Sequence, residues 1–187
     1  MNPLDFLNAR RSTPSRLLGP PGPDEAQQRA IASAALRVPD HGKLAPWRIL
    51  RIRGEQRLRL GEFLVRRQRE RDPATPAAVL DKDRERFAFA PVVFTVIARP
   101  VPHKVPEIEQ LLSAGSVCLV LLQAAQALGF GAQWLTGWMA YDDGVAAHLG
   151  LAADERIVGF VHVGSAREAA PERLRPAFED RVSDWTG

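Results

Sequence analysis

Two groups of polar residues near the N-terminus could do chemistry, and both contain cations. Arg10 and Arg11 are followed by Ser12, and Arg37 precedes His41 by four positions. Two guanidinium groups and a hydroxyl provide bidentate donors and neutralising charge, which binding of a phosphate monoester requires. The same arginines could instead end a short helix and complement its dipole. His41 could equally be a loop residue with a hydrogen bond, so neither group alone decides between ligand binding and structure.

The other reactive residue types form no recognisable catalytic or metal site in the sequence. The four histidines have no i,i+4 spacing and no cysteine pair nearby, so we expect no metal. Cys118 is the only cysteine and lies in an apolar stretch, where a thiol acts as a small hydrophobe with a raised pKa. Gly129 and Gly131 follow a predicted helix and open a strand, the reverse of a dinucleotide fingerprint. Because the sequence lacks these catalytic features, we expect a bound cofactor to supply the chemistry.

Composition and charge narrow the class of protein. The 187 residues are 45% hydrophobic and 25% charged, which is typical of a single globular domain. No uninterrupted apolar run reaches the roughly 18 residues of a membrane span. The N-terminus lacks a cationic start followed by an apolar core, so we expect no secretory signal and a cytoplasmic protein. The net charge is only +3, and acids dilute the densest basic stretch, 66–72, which argues against nucleic-acid binding.

Helical and strand patterns alternate along the chain. Helices are predicted at 3–10, 24–36, 55–71, 77–87, 107–128 and 143–149, and strands at 47–52, 91–97, 132–135 and 157–163. The β-branched run at 91–97 indicates burial on both faces of the strand. The long helix at 107–128 is apolar nearly all round from Leu111, which predicts that its own protein encloses it. The tail at 167–187 is polar and proline-marked, and we expect it to pack on a partner chain.

Taken together, an ordered set of motifs resembles the FMN-dependent nitroreductases, and most closely their compact members named NAD(P)H nitroreductases. The set comprises Arg10-Arg11-Ser12, Arg37-x-Pro-Asp-His41 with Pro46-Trp47, His103-Lys-Val-Pro106, Ser113-Ala-Gly115, Gly129-Phe-Gly131-x-x-Trp134, and Ile157-Val-Gly-Phe160 with Gly164. It spans about residues 3–165. No single motif is specific to the family, but their order and spacing are.

The resemblance implies an α+β fold in which helices surround a mixed or antiparallel sheet, built as a homodimer from one domain at 1–187. In this family FMN lies at the subunit interface. The resemblance assigns FMN binding to Arg10, Arg11, Ser12, Arg37, His41, Trp134, Leu135 and Thr136, with His41 contributed by the other subunit and 134–136 offering backbone groups. It assigns binding of NADH or NADPH to Ala124, Ala125, Gln126, Ala127, Leu128 and Gly129.

The reaction implied by the resemblance is reduction of bound FMN by NADH or NADPH, followed by reduction of an electron-poor acceptor such as a nitroaromatic or a quinone. Two alternatives stay open: a non-catalytic FMN-binding or storage protein, and a flavin-cleaving member of the same superfamily. The sequence also departs from the family. Ala45 stands where the family often has a residue with an amide side chain before Pro-Trp. Leu135 stands where close relatives have a polar residue, so only the main chain of Leu135 is left for the contact with the flavin. Arg173, Arg175 and Arg181 are equal candidates for a C-terminal cation on the phosphate.

Overall fold

A five-stranded antiparallel sheet lies between two groups of helices in the computed structural model, which describes residues 2–187. The strands are β1 (Leu18–Gly19), β2 (Trp47–Arg53), β3 (Val92–Ala98), β4 (Gly131–Leu135) and β5 (Arg156–Ala166). The helices are α1 (Pro3–Asn8), α2 (Glu25–Ala35), α3 (Glu55–Arg71), α4 (Ala77–Glu85), α5 (Glu107–Ala127) and α6 (Asp143–His148). The predicted α+β class and antiparallel sheet are confirmed.

Strand β5 organises the sheet because three other strands pair with it. β3 lies on one side of it, β4 pairs with its second half, and β1 pairs with its last residues. β2 completes the sheet beyond β3. Every residue of β3 is buried, which confirms the prediction made from its β-branched run. The sheet therefore has an apolar layer on each face, with α2 and α5 on one side and α3, α4 and α6 on the other.

Helix α5 is the long apolar helix that the sequence predicted, but its own chain covers only one of its faces. Val117, Cys118 and Leu121 are completely buried against the sheet. On the opposite face, Ile108 is 60% exposed and Leu112 is 64% exposed. The expectation that its own protein encloses this helix is confirmed for the face against the sheet, while the chain itself leaves the opposite face open. By length and mean hydropathy (1.5) α5 could cross a membrane, but the buried face shows that it is the core helix of the fold.

Helix α4 packs closely on α3. Gly61 of α3 is needed there, because a Cβ atom at this position would come within 2.1 Å of the Arg84 carbonyl oxygen of α4. The close contact fixes α4 beside the sheet, where several of its side chains line a cavity.

The C-terminal tail at 167–187 contains no helix or strand in the part of the chain that the structure describes. Its apolar side chains are open to solvent: Leu174 is 98% exposed and Trp185 is 92% exposed. The tail stays near the domain through Glu172, which pairs with Arg11. The sequence expectation that this tail packs on a partner chain stays a prediction.

Candidate functional site

The N-terminal loop, residues 10–15, is fixed to the sheet and to the end of α5. The Thr13 N–H donates to the Ala132 carbonyl at 3.0 Å, and the Ser15 N–H donates to Oε1 of Gln133 at 2.6 Å. The side-chain amide of Gln126 donates to the Arg11 carbonyl. These bonds attach the Arg10-Arg11-Ser12 motif to β4 and α5, so its backbone is held in place before any ligand arrives.

The two adjacent arginines of this loop have different surroundings. Nε of Arg11 donates to Glu172 at 2.7 Å, and its Nη1 donates to the carbonyls of Asn8 and Arg10 at 2.8 and 2.9 Å. Within residues 2–187, the Arg10 guanidinium has only one hydrogen bond, from Nη1 to the Ser12 hydroxyl at 3.2 Å. Arg10 thus keeps donors for a ligand, whereas those of Arg11 are largely used within the chain.

A cavity of about 290 Å³ lies beside the loop, and we call it the loop cavity. Its wall combines Arg10 and Arg11 with Gln126 and Gly129 from the end of α5. Oε1 of Gln126 is buried and has no hydrogen-bond partner among the described residues. The predicted phosphate motif and part of the predicted nicotinamide-nucleotide segment are therefore neighbours. Ala125, of the same segment, is buried in the core.

A second cavity, of about 590 Å³, continues from the same loop, and we call it the α4 cavity. Such a volume is within the range that binds small molecules and cofactors, about 300–1,000 Å³. Its wall consists of loop residues, two β4 residues and one side of α4 with the turn that follows: Pro14, Ser15, Arg16, Gln133, Leu135, Ala78, Asp81, Lys82, Glu85, Arg86 and Phe89. Sequence reasoning missed the α4 side of this wall.

The alternation along β4 decides which of its side chains reach the α4 cavity. Gln133 and Leu135 line the cavity, so the Leu135 side chain, and not only its main chain, is available to a ligand there. The intervening Trp134 points the other way, with its indole N–H 3.4 Å from the Val158 carbonyl. A Cβ on Gly159 would lie 1.9 Å from Nε1 of Trp134, so only glycine leaves room for the indole. Thr136 follows the strand and is half-buried.

The second polar group of the sequence forms a separate loop at the other end of α5. Nδ1 of His41 lies 2.6 Å from a carboxylate oxygen of Glu109, in the first turn of α5. Lys43 and Ala45 adopt φ angles of 55° and 46°, a left-handed backbone conformation that costs energy in non-glycine residues. Asp40 supports this loop by accepting the Ala45 N–H at 2.7 Å. Arg37, just before the loop, is exposed.

The two polar groups cannot share one small ligand within a single chain. The His41 loop contacts α5 at Glu109, whereas the N-terminal loop contacts it at Gln126. At a rise of 1.5 Å per residue, these two positions are about 25 Å apart along the helix. If both groups bind the same molecule, the residues must come from two chains.

Buried titratable groups do not add a nucleophile or a metal site to this arrangement. Burial raises the pKa of the Cys118 thiol to about 12, so the thiolate is not populated near neutral pH. In residues 2–187, no three His, Cys, Asp or Glu side chains are grouped so that they could hold a metal ion. What the site offers is a set of cations, amide groups and apolar walls, which suits binding of a planar, phosphorylated cofactor.

Comparisons with known proteins agree with this geometry. The model of the nitroreductase family matches residues 7–165. The Escherichia coli K12 protein named "Putative NAD(P)H nitroreductase YdjA" is 36% identical over 166 residues, 88% of each chain. The structure of a nitroreductase-like family protein from Bacillus cereus superposes with a TM-score of 0.83 at 19% identity, covering 100% of this chain and 97% of that one. The Y88A mutant of NfnB from Sphigopyxis sp., described as an FMN- and NADPH-dependent nitroreductase, superposes with a TM-score of 0.80 at 20% identity over the whole of both chains. The chain belongs to the nitroreductase family.

Proposed function

We propose that this protein is a cytoplasmic FMN-dependent oxidoreductase that uses NADH or NADPH as its reductant. The donors of the site suit FMN: Arg10 and Ser12 provide cation and hydroxyl for the phosphate, and the α4 cavity has room for a planar ring. The names of the Escherichia coli relative and of NfnB support the same reductant and cofactor. When bound, FMN would accept hydride from the nicotinamide and pass it to an electron-poor acceptor, a nitroaromatic or a quinone, in the same pocket.

The chain's own residues then have distinct tasks. Arg10 and Ser12 bind the phosphate, while Gln133 and Leu135 form one wall for the ring. Gln126 lines the loop cavity and holds the backbone of the Arg10-Arg11-Ser12 motif through its bond to the Arg11 carbonyl. Because these groups are held by β4 and α5, binding needs little rearrangement of the backbone.

We also propose that the working form is a homodimer with a site shared between two chains. The observation that carries this proposal is the separation of about 25 Å between the His41 loop and the N-terminal loop along α5. The open face of α5 offers a surface for association, with Ile108, Leu112 and Leu119 exposed around Gly115 and Ser116. Antiparallel packing of two such faces would bring His41 of one chain towards Arg10 of the other. The exposed apolar residues of the tail would then pack on the partner chain.

The test combines the mass of the purified protein with its flavin chemistry. We expect a dimer that contains two FMN molecules and whose flavin absorbance bleaches when NADH or NADPH is added without oxygen. Bound FMN that neither nucleotide bleaches would indicate a storage protein instead. Loss of intact FMN during aerobic reduction, seen by mass spectrometry, would indicate a flavin-cleaving enzyme. A monomer that binds one FMN tightly at micromolar concentration would contradict the shared site.

The acceptor class is tested on the same preparation. Flavin that has been reduced anaerobically should be reoxidised by a nitroaromatic or by a quinone within the turnover time of the enzyme. Parallel lines in reciprocal plots at several acceptor concentrations would support release of the oxidised nucleotide before the acceptor binds. Intersecting lines would contradict that order.

A further inference from the structure

The wall of the α4 cavity contains three cations, and they differ in exposure. Arg16 and Lys82 are exposed to solvent, whereas the Arg86 side chain is only 22% exposed. Water screens an exposed charge strongly, while a charge surrounded by protein acts on its neighbours through a lower effective dielectric constant. Of these three cations, Arg86 therefore has the strongest electrostatic effect on a molecule in the cavity.

A buried carboxylate orients Arg86. Nη2 of Arg86 donates to one oxygen of Asp83 at 3.1 Å, and the indole N–H of Trp138 donates to the other oxygen, also at 3.1 Å. Nε of Arg86 is buried and has no hydrogen-bond partner within residues 2–187. Asp83 therefore fixes the position of a guanidinium that lines the cavity.

Two titratable groups are packed close to this pair: His162, and Arg71, whose guanidinium carbon lies 4.5 Å from the ring centroid of Trp138. His162 of β5 is buried there, and burial, together with the positive charge of Arg86, lowers its pKa to about 3. Of this pair only Arg86 lines the cavity, whose wall also includes the exposed carboxylates Asp81 and Glu85.

We propose that Arg86 determines how strongly the α4 cavity favours reduced over oxidised flavin, and that Asp83 limits this preference as its counter-charge. The inference rests on the proposed function. Transfer of hydride converts FMN and NAD(P)H into the anionic reduced flavin and NAD(P)⁺, so the ring gains one negative charge. A fixed cation stabilises that anion more than the neutral oxidised ring, and a fixed carboxylate does the opposite.

The experiment measures the two-electron midpoint potential of the FMN-loaded protein by anaerobic titration against a reference dye. Arg86→Gln should reduce the preference for reduced over oxidised FMN about tenfold, which lowers the potential by about 30 mV. Asp83→Asn should change the potential in the opposite direction, because it removes the negative charge and leaves the cation. Arg86→Lys should restore most of the wild-type potential because it keeps the positive charge.

A surface ion pair of α3 provides a matched control. Arg59 and Glu55 form an exposed i,i+4 pair outside the α4 cavity, and Arg59→Gln and Glu55→Gln make the same changes in net charge. Both variants should keep the wild-type potential. If Arg86→Gln does not fold, Asp83→Asn still tests the inference, because it should raise the midpoint potential above that of the wild type.

A purely structural role for the pair predicts another pattern. Arg86→Gln and Asp83→Asn would then lower the unfolding temperature alike and shift the potential in the same direction or not at all, which would overturn the inference. Wild-type protein that binds no FMN would overturn the proposed function together with it. FMN binding with potentials that match the controls would overturn only the role of Arg86.

Discussion

The different surroundings of Arg10 and Arg11 lead to different expected effects of their removal on flavin binding. Arg10→Ala deletes the guanidinium that keeps free donors, while Arg11→Ala deletes one that is already bonded to Glu172, Asn8 and Arg10. If Arg10 binds the FMN phosphate, its removal costs charge-assisted hydrogen bonds worth about 1.5–3 kcal/mol. FMN should then bind roughly ten- to more than a hundredfold more weakly.

Riboflavin provides the decisive comparison because it lacks the phosphate. Arg10→Ala should leave riboflavin affinity nearly unchanged. Arg11→Ala should instead lower the free energy of unfolding by about 0.2–1 kcal/mol, the usual value of a partly exposed ion pair, and should affect FMN and riboflavin alike. Arg29→Ala is the control, since Arg29 lies on the exposed side of α2 in an i,i+4 pair with Glu25.

The assay is a pair of fluorescence titrations, with FMN and with riboflavin, on each variant at fixed ionic strength. Equal losses for both ligands in Arg10→Ala would refute the phosphate role of Arg10. An FMN-selective loss in Arg11→Ala as large as that in Arg10→Ala would show that the Glu172 contact does not keep Arg11 from the phosphate. Either result would contradict the division of roles inferred from the hydrogen bonds.

Three further outcomes follow from buried groups. Burial lowers the pKa of His162 to about 3 in the folded state, so between pH about 6.5 and 3 the unfolded chain binds a proton that the folded chain does not. The free energy of unfolding should therefore be highest above pH about 6.5 and should fall at lower pH by up to about 1.4 kcal/mol per pH unit. In urea unfolding, the free energy of unfolding of His162→Gln should depend less on pH than that of the wild type. An equal pH dependence in both proteins would show that other groups cause the effect. Hydrogen bonds from Arg48 hold the pKa of Glu155 at about 2, so this pair stabilises the fold above pH about 4.5 and is lost as the pH falls towards 2. Glu155→Gln should cost about 1–3 kcal/mol in denaturant unfolding at pH 7, and a loss near zero would mean that the pair adds nothing. Cys118→Ala should leave the rate of flavin reduction by NADH or NADPH within about tenfold of wild type, equivalent to 1.4 kcal/mol, and a larger loss in a folded variant would restore the thiol as a nucleophile.

The elements themselves were largely predictable from the sequence because their ends carry local signals. Pro106 precedes α5 and Gly129 follows it in a left-handed conformation, as expected for a helix end. The side chain of Asp24 and that of Gln27 form a capping box at the start of α2. Hydropathy also indicated a buried α5, but it reports only that a surface avoids water. It could not show that one face is left open by the chain itself.

The α4 cavity was not predictable in the same way. The α4 stretch from Asp81 to Arg86 alternates acids and bases, a pattern typical of a solvated helix face. The cavity exists because Gln133 and Leu135, far away in sequence, lie opposite that face. A period of two along β4 could have placed these two side chains on one side and Trp134 on the other. Nothing in the pattern of α4 could have identified Arg86 as the least exposed of the three cations in the wall.

The distribution of the proposed flavin site over both ends of α5 has an energetic consequence. If each FMN contacts Arg10 of one chain and His41 of the other, it binds the dimer better than the isolated chain. By linkage, FMN must then tighten the association of the subunits, and dilution must weaken FMN binding. The open face of α5 would therefore contribute to cofactor affinity although Leu112 and Leu119 contact no cofactor. In the proposed dimer, covering this apolar face would thus give the chain both stability and a complete site.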